Sequence, residues 1–240
     1  MMIKSGRTPL LRARNIEQKL GVKRIYIKLE GANPSGSKKD RFAEKIILLA
    51  KSTGKQHVIA DGSKPFLYAL AYYAEVYGVM TTVLQFNNQK WKSKLVNSFT
   101  SLDKIKSNEP KSIDGYQSFK HNEETLRIIE GIDESSLAEL SYMEIIEEIN
   151  NKMKNSMNHL FYAHSKDYQN SIQNGLLIHY LRHLDNMPIV HHINHPGEEN
   201  INDDMIDRAY RLLTKEEHLK VKRQDVLPFA HFLKLLDLGD

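Results

Sequence analysis

Short apolar segments rich in β-branched residues alternate with longer segments of helical periodicity in the first part of this chain. Three short segments, at 25–29, 57–60 and 80–86, predict strands. Between them, apolar residues at helical spacing over 42–50 and 66–77 predict two helices, the second of which is apolar on almost every side. Because strands that alternate with helices pair in parallel, this order predicts an α/β fold whose parallel sheet is covered by helices.

The segment Asn33–Arg41 lies between the first predicted strand and the first of these helices. A hydroxyl of Ser35 or Ser37 can accept a hydrogen bond from the N–H groups of a first helical turn, which predicts a loop entering a helix. Lys39 then falls in the first turn, where the positive end of the helix disfavours a protonated amine. Since the neutral amine attacks an aldehyde, Lys39 is a candidate for Schiff-base chemistry. A solvated lysine beside Lys38 is the ordinary alternative.

The same segment, 33–41 (Asn-Pro-Ser-Gly-Ser-Lys-Lys-Asp-Arg), resembles the lysine motif of the threonine synthase and tryptophan synthase β family, N-P-T-G-S-F-K-D-R. Lys39 falls on the cofactor lysine of that motif, and Lys38 replaces its phenylalanine. Residues 7–11 are similar to the family's opening T-P-L segment and residues 25–30 to its first strand, and several segments between 201 and 236 are similar to its closing segment. The resemblance implies a type II pyridoxal-phosphate fold, an α/β architecture with a parallel sheet and two subdomains. It also implies pyridoxal phosphate as the cofactor.

The resemblance implies a division of the 240-residue chain as well. A smaller α/β domain is expected at 45–120, and a larger domain at 1–44 together with 121–240. We expect the larger domain to be truncated, because the family sequence is longer, mostly between the positions matching 188 and 201. Helical periodicity predicts helices over 123–132, 137–153 and 226–238, and Asn202 is predicted to cap another helix.

Composition restricts the class of protein. A hydrophobic content of 40% supports a full core, and the absence of cysteine excludes disulfides, thiolate metal sites and a cysteine nucleophile. The net charge of +4 comes from interleaved acids and bases, which argues against a nucleic-acid partner. With no long apolar segment to indicate a signal peptide or a membrane span, we expect a soluble, cytoplasmic protein.

The family binds its substrate's carboxylate at a strand-to-helix turn that reads roughly S-G-N-T-G, and residues 61–65 correspond to it here (Asp-Gly-Ser-Lys-Pro). The resemblance implies Ser63 as the remnant of this site, and Lys64 could supply a compensating cation. Pro65 removes one backbone donor, and the two residues after it add bulk. Asp61 adds a charge of the same sign as the substrate. We therefore expect this turn to be disabled for the family's carboxylate.

The family's glycine-rich phosphate loop corresponds to residues 188–197. Glycines are needed there because a dianion must contact several backbone N–H groups with no Cβ in the way. Of this loop only Asn194 and Gly197 remain as cofactor-binding candidates, beside Lys39, Ser63 and Lys64 elsewhere in the chain. We therefore expect pyridoxal phosphate to bind weakly or not at all. The family's partner of the pyridine nitrogen corresponds to 221–225, where Asp225 could accept a hydrogen bond from a protonated nitrogen or could instead cap the last helix.

Three histidines, His191, His192 and His195, replace part of that glycine loop. Imidazoles so closely spaced could bind a divalent metal. Adjacent residues of a strand lie on opposite faces, so His191 and His192 could share a metal only if the strand ends there. Imidazoles that fill the space left by the cofactor are the alternative.

Three functions follow from these residues. The favoured one is a degenerate threonine synthase-like protein, a pseudoenzyme that serves as a binding or regulatory subunit paired with itself or with an intact paralogue. The second is an active pyridoxal-phosphate-dependent lyase or β/γ-replacement enzyme of amino-acid metabolism, in which Lys39 bonds to the aldehyde and Lys64, His192 or His195 holds the phosphate. The third is a metal or anion binder that uses the loop His191–His195.

Overall fold

The computed structural model describes residues 4–85, 90–104, 125–129, 135–154, 159–163, 189–193 and 201–239. The chain divides into two compact units, Met1–Thr8 with Glu30–Glu144 and Pro9–Leu29 with Ile145–Asp240. The first unit includes the whole range predicted for the smaller domain and extends beyond it on both sides. The division into a smaller domain at 45–120 and a larger domain stays a prediction.

The described residues contain eight strands and six α-helices. The strands are β1 Leu10–Arg12, β2 Tyr26–Lys28, β3 His57–Asp61, β4 Met80–Gln85, β5 Thr100–Lys104, β6 Thr125–Ile129, β7 His159–Ala163 and β8 Ile189–Ile193. The helices are α1 Arg14–Leu20, α2 Lys39–Ser52, α3 Lys64–Tyr77, α4 Ser135–Met153, α5 Asp203–Arg211 and α6 Leu227–Leu238. Short 3-10 helices cover Glu30–Ala32, Lys90–Leu95 and Arg223–Val226, and a π-helical turn, Leu212–Glu216, follows α5.

The first unit is built on a four-stranded parallel sheet in the order β5-β4-β3-β6. Strand β3 lies inside this sheet, and its residues Val58, Ile59 and Ala60 are buried. Helices α2 and α3 contact each other and the sheet. The predicted α/β fold with a parallel sheet is therefore confirmed.

Helices α2 and α3 form where their apolar residues repeat at helical spacing. In α2 the buried stripe consists of Phe42, Ala43, Ile46, Ile47 and Ala50. Helix α3 ends at Gly78, which takes the left-handed conformation with φ of 68° and donates its N–H to the carbonyl of Ala74. A residue with a Cβ would be strained in that conformation, which explains why the helix ends at a glycine.

The helix predicted over 123–132 is wrong, because the structure places strand β6 within that range. Residues Thr125–Ile129 pair in parallel with all five residues of β3, from His57 to Asp61. Ile128 is buried in this arrangement. The backbone N–H and C=O groups of this segment make their hydrogen bonds with a strand more than 60 residues earlier in the sequence. This pairing overrides the local periodicity, which predicted a helix.

The second unit joins the antiparallel pair β1-β2 and the parallel pair β7-β8 to helices α1, α4 (from Ile145), α5 and α6. One buried cluster joins α1 to α5 and α6; its residues are Ala13, Ile16, Ile201, Ala209, Leu212, Leu213, Val226, Leu227, Ala230 and Leu233. The predicted cap of α5 is confirmed, since the Asn202 side chain accepts a hydrogen bond from the N–H of Met205 at 2.9 Å. Among the helices of the described part of the chain, none combines the length and the hydropathy needed to cross a membrane.

Candidate functional site

The turn before α2 is held by the side chain of Asn33, of which only 4% is exposed. Its carbonyl oxygen accepts the N–H of Gly6 at 2.8 Å, and its amide donates to the backbone carbonyl of Glu30 at 2.8 Å. Gly36, with φ of 88°, donates its N–H to the Asn33 carbonyl at 2.8 Å. This left-handed position needs a glycine, so the Asn and Gly of the motif serve to shape the turn.

Asp40 closes the turn from the helix side. Its side chain is fully buried and accepts hydrogen bonds from the Ser35 N–H at 2.7 Å, the Ser35 hydroxyl and the Ser37 N–H at 3.2 Å. Tyr73 of α3 donates its hydroxyl to the same carboxylate at 3.2 Å. Burial and the neighbouring Asp40 carboxylate both raise the pKa of Tyr73, so this phenol stays protonated and able to donate.

Arg41 fixes the base of the turn through Glu30. Its guanidinium donates two hydrogen bonds to the Glu30 carboxylate, and only 1% of its side chain is exposed. Thr8 donates its hydroxyl to Glu30 at 2.6 Å, and Glu144 of α4 lies 3.7 Å from the Arg41 guanidinium. Three segments distant in sequence therefore converge on the start of α2.

Lys39 is the first residue of α2 and is partly buried. Its backbone N–H donates to the Ser37 hydroxyl at 3.1 Å, which confirms that a serine of the motif accepts an N–H at this helix start. The residue at the N-cap position is Lys38. The structure thus places Lys39 in the first turn of a helix, next to a turn that is held by the buried side chains of Asn33 and Asp40.

The turn between β3 and α3 differs from a turn of small residues. Ser63 precedes the helix in an extended conformation and makes no capping hydrogen bond with its side chain; Lys64 and Pro65 are the first two helical residues. The Lys64 ammonium lies 5.8 Å from the centre of the Tyr68 ring. Phe66 and Leu67 are fully buried, and the ring centre of Phe66 lies 5.2 Å from that of Phe42. The bulky residues of this turn therefore belong to the core.

Asp61, at the end of β3, is paired with Lys92. The Lys92 ammonium lies 2.6 Å from the Asp61 carboxylate and 2.6 Å from the carbonyl of Leu84, and 1% of the lysine side chain is exposed. Sequence reasoning missed Lys92. The available signal was that a carboxylate at the end of a buried strand needs a cation nearby. The sequence has lysines at 90, 92 and 94, and nothing in it shows which of the three lies next to Asp61. The negative charge predicted to repel a substrate is therefore compensated from within the protein.

The remaining predicted residues belong to the second unit or lie outside the described residues. Asp225 is exposed in the 3-10 helix Arg223–Val226 of the second unit. Its backbone N–H donates to the backbone carbonyl of Lys222. His191 and His192 are internal residues of β8, in register with the β7 residues Phe161 and Tyr162. Three other predicted residues, Asn194, His195 and Gly197, lie outside the described residues.

Metal binding at the histidines stays a prediction. Among the side chains that the structure describes, no group of three histidine, aspartate or glutamate residues could hold a metal ion. His195 and the side chains of His191 and His192 lie outside that set.

Comparison with known sequences identifies the family. Residues 2–165, more than half of the chain, match the family described as pyridoxal-phosphate dependent enzyme. The chain belongs to this family. Relatives include the threonine synthase of Methanocaldococcus jannaschii, 39% identical over 79 residues, which are 33% of this chain and 20% of that protein. The cystathionine beta-synthase of Saccharomyces cerevisiae is 43% identical over 53 residues, 22% of this chain and 10% of that protein. The matched segments thus span about a fifth or less of these relatives.

Solved structures of this family show the same fold. A hydrogen sulfide-producing enzyme from Fusobacterium nucleatum has a TM-score of 0.68 at 17% identity, covering 99% of this chain and 91% of that chain. An O-acetylserine dependent cystathionine beta-synthase from Helicobacter pylori has a TM-score of 0.66 at 18% identity, covering 99% of this chain and 92% of that chain. The predicted type II pyridoxal-phosphate fold is confirmed.

The described residues fit the aldehyde of pyridoxal phosphate better than they fit the carboxylate of the family's substrate. The cofactor's aldehyde needs an amine at a fixed place, and the structure holds Lys39 at the start of α2. The turn at 61–67 fits a substrate carboxylate poorly, because Pro65 has no N–H and the next two side chains fill the core. When bound, the cofactor would supply an electron sink for carbanion chemistry, and Lys39 would hold it.

Proposed function

We propose that this chain is a cytoplasmic threonine synthase-like protein that has kept the cofactor lysine. It has lost the backbone N–H groups with which the family binds the carboxylate of its substrate. It acts as a non-catalytic binding or regulatory subunit, paired with a second copy of itself or with an intact paralogue. The observation that carries the proposal is Pro65 in the first turn of α3, followed by the buried Phe66 and Leu67. A carboxylate cannot be bound there by consecutive backbone N–H groups.

Two further features support the proposal. The Asp61 carboxylate at the same turn is held by Lys92 at 2.6 Å, so this lysine is already occupied by an internal anion. The sequence also replaces the family's glycine-rich phosphate loop with histidine, isoleucine, asparagine and proline at 192–196. A dianion that loses several backbone contacts loses about 1.5–3 kcal/mol for each charge-assisted hydrogen bond. We therefore expect pyridoxal phosphate to bind weakly or not at all.

Incubation with excess pyridoxal phosphate followed by dialysis tests this proposal. The wild type is expected to retain little yellow colour and to convert neither L-serine nor L-threonine to a keto acid. Lys39→Ala and its neighbour control Lys38→Ala are measured beside it, with borohydride reduction and mass spectrometry to locate any attached cofactor. A stable coloured protein that turns over either amino acid, and that loses both properties in K39A alone, would overturn the proposal.

An active pyridoxal-phosphate-dependent lyase or β/γ-replacement enzyme is the second candidate. The observation that favours it is the intact turn of Lys39, in which the buried residues Asn33, Asp40 and Arg41 all make hydrogen bonds. In this case Lys39 bonds to the aldehyde and moves the proton at the substrate's α-carbon. The same colour and turnover measurements decide between the two candidates.

A graft at the β3–α3 turn tests the cause assigned to the loss. The triple variant Ser63→Asn, Lys64→Thr, Pro65→Gly restores small residues and one backbone N–H while it leaves the Asp61–Lys92 pair untouched. If the turn causes the loss, added L-serine raises the unfolding temperature of the graft and does not raise that of the wild type. Equal protection of the two proteins would contradict the assignment.

The subunit role has its own measurement. Sedimentation of the full chain is expected to show a mass above that of one 27.8 kDa chain, alone or after mixing with an intact family member. A monomer under both conditions would contradict the role.

A further inference from the structure

Two carboxylate–tyrosine pairs join α2 to α3, one helical turn apart. Tyr73 donates its hydroxyl to Asp40 at 3.2 Å, and Tyr77 donates its hydroxyl to Glu44. In both pairs the carboxylate lies on α2 and the phenol lies 33 residues later on α3. The two pairs are thus matched in chemistry, in helix and in sequence spacing.

The pairs differ in what else the carboxylate holds. Asp40 accepts two hydrogen bonds from Ser35 and one from the Ser37 N–H, all within the turn before Lys39. Glu44 instead accepts the N–H of Ser5 at 2.9 Å and the Ser5 hydroxyl. The first pair is therefore connected to the turn before Lys39, whereas the second is connected to the amino-terminal segment.

The environment of Asp40 indicates a task beyond packing. Its side chain is fully buried, and its four donors, two from Ser35 and one each from Ser37 and Tyr73, are uncharged groups. The neighbouring cation Arg41 is directed to Glu30. A buried carboxyl group is costly unless donors satisfy it, and these donors of Asp40 come from the turn before Lys39 and from Tyr73.

We propose that Asp40 is a positioning residue for the Lys39 amine and that Tyr73 fixes Asp40 in turn. Asp40 holds the turn at 35–37, and the Ser37 hydroxyl of that turn accepts the N–H of Lys39 at 3.1 Å. The inference rests on the proposed function only in taking Lys39 as the retained amine of the site.

Competitive labelling with acetic anhydride over a range of pH tests the inference on the full chain without added cofactor. Mass spectrometry gives the rate of acetylation of Lys39 relative to the exposed Lys23 in each variant. Asp40→Asn is compared with Glu44→Gln, which removes the matched carboxylate. Tyr73→Phe is compared with Tyr77→Phe, and circular dichroism checks that each variant is folded.

We expect Lys39 in D40N to be acetylated several-fold faster relative to Lys23, because the turn no longer restrains it. The pH of half-maximal labelling should also change in D40N, because a shift of the turn alters the surroundings of the Lys39 amine. Y73F should change the rate in the same direction by less, while E44Q and Y77F leave both quantities as in the wild type. A purely structural role would alter all four variants alike.

Unchanged Lys39 labelling in D40N and Y73F, or equal changes in E44Q and Y77F, would overturn the inference. If D40N does not fold, the comparison of Y73F with Y77F decides alone. Failure of the proposed function has a different signature, namely turnover by the wild type loaded with pyridoxal phosphate. Amine labelling does not measure turnover, so the two failures are distinguishable.

Discussion

Arg41 and Glu30 lie side by side in two parallel hydrogen bonds, from Nε to Oε2 at 2.8 Å and from Nη2 to Oε1 at 2.9 Å. The pair joins the 3-10 helix Glu30–Ala32 to the first turn of α2. Because the guanidinium is almost fully buried, both members depend on each other for compensation of their charge. The turn of Lys39 lies between them in the chain and is enclosed by this pair.

Arg41→Met should lower the free energy of unfolding by about 3–5 kcal/mol, because the Glu30 charge is left without its partner. The double variant E30Q/R41M should be more stable than R41M, since no unpaired carboxylate remains. Urea unfolding followed by circular dichroism measures both. Arg223→Gln, which removes an exposed double ion pair with Asp203 and Asp207, is the control and should change little. Equal losses in R41M and R223Q would contradict the prediction.

Asp61→Asn and Lys92→Met should differ although they break the same ion pair. D61N leaves an ammonium that is 1% exposed with the Leu84 carbonyl as a hydrogen-bond partner, so we expect a loss of about 3–5 kcal/mol. K92M leaves a carboxylate that is 26% exposed and that water can reach, so a loss of about 1–3 kcal/mol is expected. Urea midpoints of the two variants test the order. A larger loss in K92M than in D61N would contradict the prediction.

The stability of the first unit should fall at alkaline pH through Tyr77. Burial and then the hydrogen bond to Glu44 raise the pKa of Tyr77 to about 12 from its usual 10.0. The folded protein keeps this proton where the unfolded chain has lost it. The stability from the raised pKa is therefore complete below about pH 10 and is lost as the pH rises towards about 12.

Tyr77→Phe has no proton to lose at this position, so its free energy of unfolding should decline less steeply over that range. Urea unfolding at several pH values between about 9 and 12 measures the slope. Glu44→Gln removes one of the causes that raise the pKa of Tyr77, so the decline should be smaller and should end at a lower pH. A Y77F slope equal to that of the wild type would exclude Tyr77 as the group responsible.

Asn202→Ala should destabilise the second unit by about 1 kcal/mol, because the N–H of Met205 loses its side-chain acceptor. Asn202→Asp keeps an acceptor and should retain the stability. Thermal unfolding of the three proteins gives the comparison. If N202A and N202D unfold at the same temperature, the cap contributes nothing.

Much of the local structure was predictable because its causes are local. Helix α1 ends at Gly21 and α3 at Gly78, both left-handed, and apolar spacing gave the buried stripe of α2. The exception is β6, whose residues from Thr125 were predicted as a helix because nothing in the segment reveals the distant strand that pairs with it. The site shows the same division, since Lys39 was found from its motif and Lys92 was not.

The sequence by itself determined the order of strands and helices from β2 to β4, the family through the residues around Lys39, and the loss of a donor at Pro65. Only the tertiary structure decided what the other motif residues do. Asp40 meets Tyr73 across 33 residues, and Asp61 meets Lys92 across 31. The spacing of residues along the chain predicts a helix or a turn, because these structures depend on neighbours in the sequence. The partner of a buried charge depends on which distant segments the fold brings together, and no local pattern encodes that.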